Sequence, residues 1–418
     1  MWRRGGWRPG FQERFGKYKS DLKQALTNRQ VIWLHAVSVG EVNLCTQLIR
    51  ALEVRLPNVK IVVSTTTTTG MAELKKHLPT HISKIYYPID RRKWIKRALA
   101  VINPEAIILV EAEIWPNFLW RARDLGIPVF LANARLSDRS FRGYKRFGFL
   151  FRSLFTSFAG VGAQTETDAT RLREIGCRTQ AIHVVGNLKF DAAKLNEQRR
   201  LDVPELLRKI GVPADAQILL GGSTHNGEEV ILAEIMQKLR TQFPKLFLVL
   251  VPRHFERCVE VGRQLRAHDI SFIYRNQIGA NSTPNGKVDC LLVNTTGELR
   301  FFYEYATIVF VGKSMTAMGG QNPIEPGAAG KPMLFGPNMQ NFAEIAQSFV
   351  SDRGAIQVRD PETLGKNIVK LLSDEKFRAE IGQNARRVVS KNLGAVERTE
   401  QMIVENLKTR GIYVEPKR

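Results

Sequence analysis

A glutamate in a turn between a strand and a helix is the first residue that could do chemistry. Residues 35–41 read His-Ala-Val-Ser-Val-Gly-Glu and follow the apolar run Val31 to Leu34. Leucines four residues apart come next, so the pattern predicts a buried parallel strand followed by a helix. Glu41 would then lie at the strand's carboxyl end, where open α/β sheets bind ligands. Two interpretations remain open: a first-turn acid that complements the helix dipole, or a catalytic group.

A glycine-rich loop in the second half of the chain has the most specific spacing. It follows the predicted strand Thr307–Gly312 and is expected to open a helix, with Asn322 as its N-cap and Pro323 as its first residue. Free amides at such a helix start can bind a phosphate. Glu325 could close a capping box or accept hydrogen bonds from ribose hydroxyls. The residues predicted from this spacing to contact a nucleotide are Gly319, Gly320, Asn322 and Glu325.

Polar residues follow three other predicted strands of this half. An arginine there can bind a phosphate or a pyrimidine edge through two hydrogen bonds, although a solvated surface arginine has the same pattern. Because the carboxyl ends of parallel strands meet at one edge of the sheet, these loops predict one crevice. The candidate residues of these loops are Ser223, Thr224 and Arg253, and a further polar loop extends from Asn294 to Leu299.

The first half offers charged residues at corresponding places. Glu111 ends a predicted strand, Arg135 follows the next one, and Lys189 lies beyond a later one. A carboxylate such as Glu41 near these cations is a plausible general base with electrostatic support for a charged substrate. Glu41 is therefore a candidate catalytic residue, and Ser38, Gly40 and Arg135 are candidate acceptor contacts. Glu111 and Glu113 form an E-x-E pair and would point to opposite faces of an extended strand, so one of the two is expected to face a cleft at this edge.

The elements that must position these residues alternate between strand and helix. Two consecutive series predict two doubly wound α/β domains facing each other across a cleft, the GT-B architecture. The predicted strands are Val31–Ala36, Lys60–Thr65, Lys84–Tyr87, Ala106–Glu111, Pro128–Ala132 and Ala159–Ala163, then Gln217–Gly221, Leu246–Val251, Ser271–Tyr274, Asp289–Val293, Thr307–Gly312 and Met333–Phe335. The predicted divisions are a basic membrane-proximal segment 1–29, an acceptor domain 30–192, a linker 193–213, a donor domain 214–395 and a C-terminal helix 396–418, which could pack back on the first domain.

The charge predicts an anionic partner. The 418 residues include 62 Lys and Arg against 40 acidic residues, a formal net charge of +22. Nucleic acid, an anionic membrane and a phosphorylated substrate all fit this surplus. Six Lys/Arg interleave with seven Phe/Tyr between Arg135 and Phe158, which fits either a core-facing helix with a solvated face or docking onto anionic lipid. Four scattered cysteines favour neither a zinc site nor disulfides.

The ordered motifs resemble those of the Kdo (3-deoxy-D-manno-octulosonic acid) transferases of Gram-negative bacteria. They are HAVSVGE, TTTTTG, EAEIWPN, NARLS, GNLK, PRHFER, TGEL and GGQNPIEP, and they extend over most of the chain. The resemblance implies a GT-B glycosyltransferase that moves Kdo from CMP-Kdo to a lipid A precursor (lipid IVA), with inversion and without a metal or other cofactor. It implies that Glu41 is the general base and that Glu111 and Lys189 assist the transition state. It also implies that the CMP-binding motifs are matched by Pro252, Arg253, Gly297, Glu298, Leu299, Asn322, Pro323, Ile324 and Glu325.

The resemblance also implies a peripheral enzyme on the cytoplasmic face of the inner membrane. Family members often begin with an apolar anchor helix before the basic segment, and this sequence starts after that point. Two alternatives stay open: peripheral attachment, or an anchor that precedes this sequence. Gln321 and Lys313 depart from the usual family residues. A UDP-sugar transferase or a non-hydrolysing sugar epimerase remains an alternative. A nucleic-acid-binding protein is disfavoured because no recognisable binding module carries the charge, so nucleic acid is not a predicted partner.

Overall fold

The computed structural model describes residues 9–111, 114–193, 201–279 and 286–416. These residues form two compact units, one within Met1–Ala192 and Asn392–Arg418 and the other within Ala193–Lys391. The strands are β1 Val31–His35, β2 Lys60–Thr65, β3 Ser83–Tyr86, β4 Ala106–Val110, β5 Val129–Ala134, β6 Gly160–Ala163, β7 Ile182–Val184, β8 Gln217–Thr224, β9 Leu246–Pro252, β10 Phe272–Tyr274, β11 Cys290–Leu292, β12 Ile308–Val311, β13 Met333–Phe335 and β14 Ala355–Gln357.

Helices connect most of the strands. They are α1 Ser20–Leu26, α2 Val39–Arg55, α3 Thr68–His77, α4 Arg92–Ile102, α5 Pro116–Asp124, α6 Asp138–Arg146, α7 Gly148–Thr156, α8 Glu166–Glu174, α9 Val203–Lys209, α10 Glu228–Leu239, α11 Cys258–Ala267, α12 Leu299–Tyr303, α13 Ile324–Ala328, α14 Ala343–Ser351, α15 Pro361–Ser373, α16 Glu375–Asn392 and α17 Ala395–Lys408.

Each unit contains a sheet of seven parallel strands. The order is β3-β2-β1-β4-β5-β6-β7 in the first unit and β10-β11-β9-β8-β12-β13-β14 in the second. Both orders run outward from a central pair, β1 with β4 and β8 with β12, which is the switch point where doubly wound sheets bind ligands. The prediction of a doubly wound α/β fold is therefore confirmed.

The first sheet is covered on both faces. Trp33, Leu109 and Phe118 belong to the apolar cluster on one face. Leu34, Leu48 and Ile403 belong to the cluster on the other face. Because both faces of the sheet are buried, the sequences of β1 and β4 are continuously apolar rather than alternating between apolar and polar residues.

The C-terminal helix α17 belongs to the first unit. Its residues Ile403 and Leu407 are fully buried in the cluster that also contains α2. The guanidinium of Arg55 on α2 pairs with the Glu400 carboxylate at 2.9 Å. The first unit is therefore built from two separate parts of the chain.

All the predicted strands are present, and the structure adds β7 and β14. Each of these two strands has only three residues and lies at the end of its sheet, so it lacks the long apolar run that reveals a central strand.

The stretch predicted as a linker contains the helix α9. Its described part includes Val203, Leu206 and Leu207, which are buried three and four positions apart, and Asp202 caps the first turn. This short amphipathic pattern was not recognised in the sequence because polar residues surround it. Among the described residues, no helix has the length and apolarity that a bilayer crossing requires.

Candidate active site

Glu41 is held at the start of α2 by the turn that follows β1. Ser38 is the N-cap: its Oγ accepts a hydrogen bond from the Glu41 amide at 3.2 Å, and the Glu41 carboxylate accepts one from the Ser38 amide at 3.3 Å. The Ser38 hydroxyl also donates to Oε1 at 2.7 Å, and the Val37 amide donates to Oε2 at 2.9 Å. The interpretation of Glu41 as a first-turn acid is thus correct in structural terms. It does not exclude a catalytic role.

The carboxylate of Glu41 keeps the capacity to accept a proton. Its side chain is buried, and the donors from Ser38 and Val37 occupy three of its acceptor positions, whereas a carboxylate offers about four. Burial raises the pKa of Glu41 and the nearby Glu111 carboxylate raises it further, while the hydrogen bonds from Ser38 and Val37 lower it. A partly desolvated carboxylate with a raised pKa is suited to general base catalysis.

The threonine run after β2 supports this turn. The hydroxyls of Thr65 and Thr67 donate to the Val37 carbonyl oxygen at 3.2 and 3.1 Å. Thr67 also caps α3 by accepting from the Gly70 amide. This contact gives the TTTTTG motif a physical role, which is to fix the backbone that presents Glu41.

Glu111 and Lys189 come together in the same unit. Glu111 follows β4 in a left-handed backbone conformation, with φ of 61°. The Lys189 ammonium lies 3.8 Å from the Glu111 carboxylate, and both side chains are about one third exposed. Since Glu111 also acts electrostatically on Glu41, the three predicted catalytic residues form one charged cluster at the switch point. Glu113, the second acid of the E-x-E pair, lies outside the described residues.

A buried polar network positions Lys189, and sequence reasoning did not predict it. The Asn133 Oδ1 accepts from the Leu188 amide at 3.0 Å, and the Asn133 carbonyl accepts from the Gln164 side chain. The Gln164 side-chain oxygen Oε1 accepts from the Asn187 side-chain amide at 2.7 Å. Asn133 has φ of 56° where β5 and β6 shift register, a backbone state that asparagine tolerates better than most residues.

The predicted acceptor contacts all lie at the carboxyl edge of the first sheet. Ser38 and Gly40 begin α2 directly after β1, and Arg135 follows β5. Ser38 is also engaged with Glu41, so its first role is structural. Their contact with an acceptor stays a prediction.

The second unit has a pocket of about 560 Å³ at the carboxyl edge of its sheet. Its lining includes these predicted donor-site residues: Ser223, Pro252, Arg253, Gly297, Leu299, Asn322 and Glu325. It also includes residues that were not predicted as site residues: Val251, Phe255, Thr295, Thr296, Arg300, Tyr303 and Gln321. Four strand-end loops contribute, so they do form one crevice.

Glu325 is the central acid of this pocket, which we name the donor pocket. Burial raises its pKa, whereas a hydrogen bond from Asn322 and the charges of Arg253 and Arg300 lower it. The Asn322 side-chain amide donates to the Glu325 carboxylate at 3.3 Å. A carboxylate that accepts from an amide and is stabilised by the charges of two nearby guanidinium groups can also accept hydrogen bonds from sugar hydroxyls.

The predicted helix start is displaced by one residue. The N-cap of α13 is Pro323 rather than Asn322, and Ile324 is the first helical residue. The Asn322 Oδ1 instead accepts from the Ile324 amide at 3.0 Å. Glu325 is therefore the second helical residue, and its carboxylate accepts from the Asn322 side chain. Of the two interpretations left open for Glu325, the capping box is not formed. With five residues, α13 is too short for a substantial dipole.

The other predicted donor-site residues support the pocket from outside its lining. Thr224 is fully buried and donates to Glu229 at 3.0 Å. Glu298 pairs with Arg275 at 3.0 Å. Gly319 and Gly320 have φ of 123° and 71°, which glycine adopts at little cost.

A buried carboxylate occupies the amides of the loop after β12. Glu228 is 1% exposed and accepts hydrogen bonds from the backbone amides of His225, Lys313, Ser314 and Met315 at 2.7–2.9 Å. These amides are consequently not available to a phosphate. Sequence reasoning missed this residue because an acid in the first turn of a helix is ordinary.

Glu229 beside it pairs with Arg257 at 2.8 Å and is fully buried. This pair ties the loop after β9, which carries Arg253, to α10. Among the described residues, no three His, Cys, Asp or Glu side chains are grouped as a metal site would require.

Comparison with known proteins agrees with this arrangement. Residues 9–192 match the family model described as 3-deoxy-D-manno-octulosonic-acid transferase, and residues 281–388 match glycosyl transferases group 1. The 3-deoxy-D-manno-octulosonic acid transferase of Haemophilus influenzae is 32% identical over 394 residues, which cover 94% of this chain and 90% of the relative. The Bordetella pertussis relative of the same name is 31% identical and covers 96% of this chain and 93% of its own length.

The fold is also similar to that of a solved UDP-GlcNAc 2-epimerase from Neisseria meningitidis. The TM-score is 0.59 at 14% identity, with 91% of this chain and 100% of that chain covered. This likeness supports the GT-B fold class. The chain thus belongs to the family of 3-deoxy-D-manno-octulosonic acid transferases, and it is a glycosyltransferase.

Proposed function

We propose that this chain transfers Kdo from CMP-Kdo to a lipid A precursor, lipid IVA, in lipopolysaccharide core biosynthesis. The observation that carries the proposal is the donor pocket, where residues from separate family motifs line one space: Pro252, Arg253, Gly297, Leu299, Asn322 and Glu325. A guanidinium can bind the nucleotide phosphate, and the Glu325 carboxylate can accept from ribose hydroxyls.

In this mechanism Glu41 takes the proton from a sugar hydroxyl of the acceptor. The hydroxyl oxygen forms a bond to C2 of Kdo, and the bond from C2 to the phosphate oxygen breaks. Its electron pair leaves with CMP, and attack opposite the leaving group inverts the anomeric carbon. Arg253 stabilises the departing phosphate. The Glu111 and Lys189 side chains stabilise the charge that develops near the reacting groups in the transition state. The absence of a D-x-D sequence and these cations support a reaction without a metal ion.

Replacing Arg253 by glutamine is expected to weaken CMP binding about ten- to a hundredfold, because a charge-assisted hydrogen bond to phosphate is lost. Isothermal titration of CMP and UDP into both proteins measures the effect. Arg263→Gln on α11, whose partner is the exposed Glu260, is the matched control. Binding of UDP without binding of CMP would instead favour the UDP-sugar enzyme.

Transfer itself is tested by mass spectrometry of the lipid A precursor after incubation with CMP-Kdo. We expect the mass to rise by whole Kdo units. An unchanged acceptor, with an enzyme that binds CMP, would reject the proposed acceptor.

The exposed face of α6 and α7 supports contact with an anionic membrane. Of the seven aromatic residues in this region, Phe155 and Phe158 are buried, and Phe141, Tyr144 and Phe151 pack partly against the core. Phe147 is 46% exposed and Phe149 is 82% exposed. Exposed basic residues accompany them: Arg139, Arg142, Lys145, Arg146 and Arg152.

We infer that this face holds the enzyme peripherally on the cytoplasmic side of the inner membrane. Aromatic side chains enter the lipid interface while basic ones meet the head groups. The predicted segment 1–29 falls partly outside the described residues, which begin at residue 9.

Phe149→Ser is expected to lower binding to vesicles of phosphatidylglycerol and phosphatidylethanolamine about tenfold, because burial of a phenylalanine contributes about 1.5–3 kcal/mol. Cosedimentation measures bound protein. Val259→Ser, at another exposed apolar position, serves as the control. Equal binding of the two variants would contradict the assignment of this face.

A further inference from the structure

A second pocket of about 410 Å³ lies beside the donor pocket, between α12, α13 and α16. Its charged lining consists of the cations Arg300, Lys331 and Arg386 and the acids Glu304 and Glu325. Lys331 and Arg386 have no role in the proposed transfer reaction.

The cations of this pocket lack direct carboxylate partners among the described residues. The Arg386 guanidinium donates to the Ala329 carbonyl at 3.3 Å. The Arg300 guanidinium lies 4.7 Å from the Phe301 ring centroid, and its Nε is buried with no hydrogen-bond partner in the described part of the chain. The charges of Lys331 and Arg386 repel each other, and an anion bound between them would offset that repulsion.

Lys331 is the cation most affected by this arrangement. Burial lowers its pKa, the Arg386 charge lowers it further, and the Glu304 carboxylate acts in the opposite direction. Glu325 is already engaged by the Asn322 amide. The side of the pocket formed by Lys331 and Arg386 is therefore where an anion would be held most favourably.

Three residues, Arg300, Tyr303 and Glu325, line both pockets. A charge bound in the second pocket acts on Arg300, whose guanidinium also stabilises the Glu325 carboxylate. When two anions interact with the same guanidinium, each anion binds less tightly in the presence of the other than it does alone.

We propose that the pocket of Arg300, Lys331 and Arg386 binds a phosphate group, and that its occupation weakens binding of the donor nucleotide. The second clause rests on the proposed function, because it assumes that CMP binds in the donor pocket. The first clause does not depend on it.

The test is isothermal titration of the full chain with inorganic phosphate and, separately, with glycerol 3-phosphate, at constant ionic strength maintained with chloride. The two titrants distinguish free phosphate from a phosphomonoester as the source of the group. We expect saturable binding of at least one, weakened at least about fivefold in the Lys331→Met, Arg386→Gln double variant. The Arg263→Gln, Lys366→Gln double variant removes two exposed charges of the same unit and should change binding less than about twofold.

Titration of CMP with and without saturating phosphate tests the coupling. The CMP Kd should rise about fivefold with phosphate, and this rise should vanish in the Lys331→Met, Arg386→Gln variant. Thermal unfolding of each variant checks that it is folded. Equal phosphate binding in the variant and the wild type would overturn the site.

The Arg253→Gln variant distinguishes phosphate bound in the second pocket from phosphate bound in the donor pocket. Phosphate binding that is lost in Arg253→Gln would mean that phosphate occupies the donor pocket, which also overturns the site. Phosphate binding without any CMP binding would leave the site intact and reject the proposed function instead.

Discussion

Glu41→Gln is expected to lower kcat by about 10²- to 10⁴-fold, the usual contribution of a general base. Glutamine has nearly the same size and keeps an oxygen for the Ser38 or Val37 amide, but it cannot take a proton. Mass spectrometry of the acceptor over time measures the rate. Glu53→Gln, on the same helix and paired with His81 at the surface, is the matched control and should retain full activity.

The pH dependence adds an independent test of this role. Because burial raises the pKa of Glu41, the base becomes protonated at a higher pH than an ordinary glutamate, whose pKa is about 4.3. The wild-type rate should therefore fall on acidification at a pH where a glutamate of ordinary pKa is still ionised. Residual activity of Glu41→Gln should lack this acid limb. A variant with full activity, or with an unchanged pH profile, would remove Glu41 from the role of base.

Glu228→Gln is expected to destabilise the second unit by about 3–5 kcal/mol. The wild-type carboxylate accepts four backbone hydrogen bonds in a buried place. A glutamine would turn its NH₂ group toward amides that are themselves donors, and it would lose the negative charge. We expect the unfolding midpoint to fall by about 10 °C.

CMP binding should also weaken in Glu228→Gln, because the loop after β12 would lose the carboxylate that holds it close to the donor pocket. Differential scanning calorimetry and titration of CMP measure the two effects. Glu234→Gln removes a carboxyl from the exposed side of the same helix and should change stability by less than about 0.5 kcal/mol. A midpoint equal to that of the wild type would mean that water or a neighbouring group can replace the carboxylate.

The parts predicted correctly are those in which local pattern and burial agree. The strands β1, β4 and β9 are buried along their whole length, so their apolar runs were visible in the sequence. The turn before Glu41 was visible because Ser38 and Gly40 suit a helix start. The helix α9 and the edge strands β7 and β14 were missed because a few apolar residues had to be recognised among polar neighbours.

Predictions about loops were less accurate because they depend on competition between hydrogen-bond partners. Asn322 and Pro323 both fit the start of a helix, and the structure places the cap at Pro323. The glycine-rich loop suggested free amides for a phosphate, but Glu228 from another helix occupies the amides of residues 313–315.

The sequence by itself determined the α/β class, the family and the positions of Glu41 and Arg253 after strand ends. These properties follow from hydrophobic periodicity and from motifs that are local in the chain. Only the tertiary structure decided that Glu111 approaches Lys189, that Glu228 binds the loop after β12, and that Arg300, Lys331 and Arg386 share a pocket. The physical reason is that these contacts join residues far apart in the chain. Their distances depend on strand order and on how buried charges find partners, and neither is encoded in any single segment.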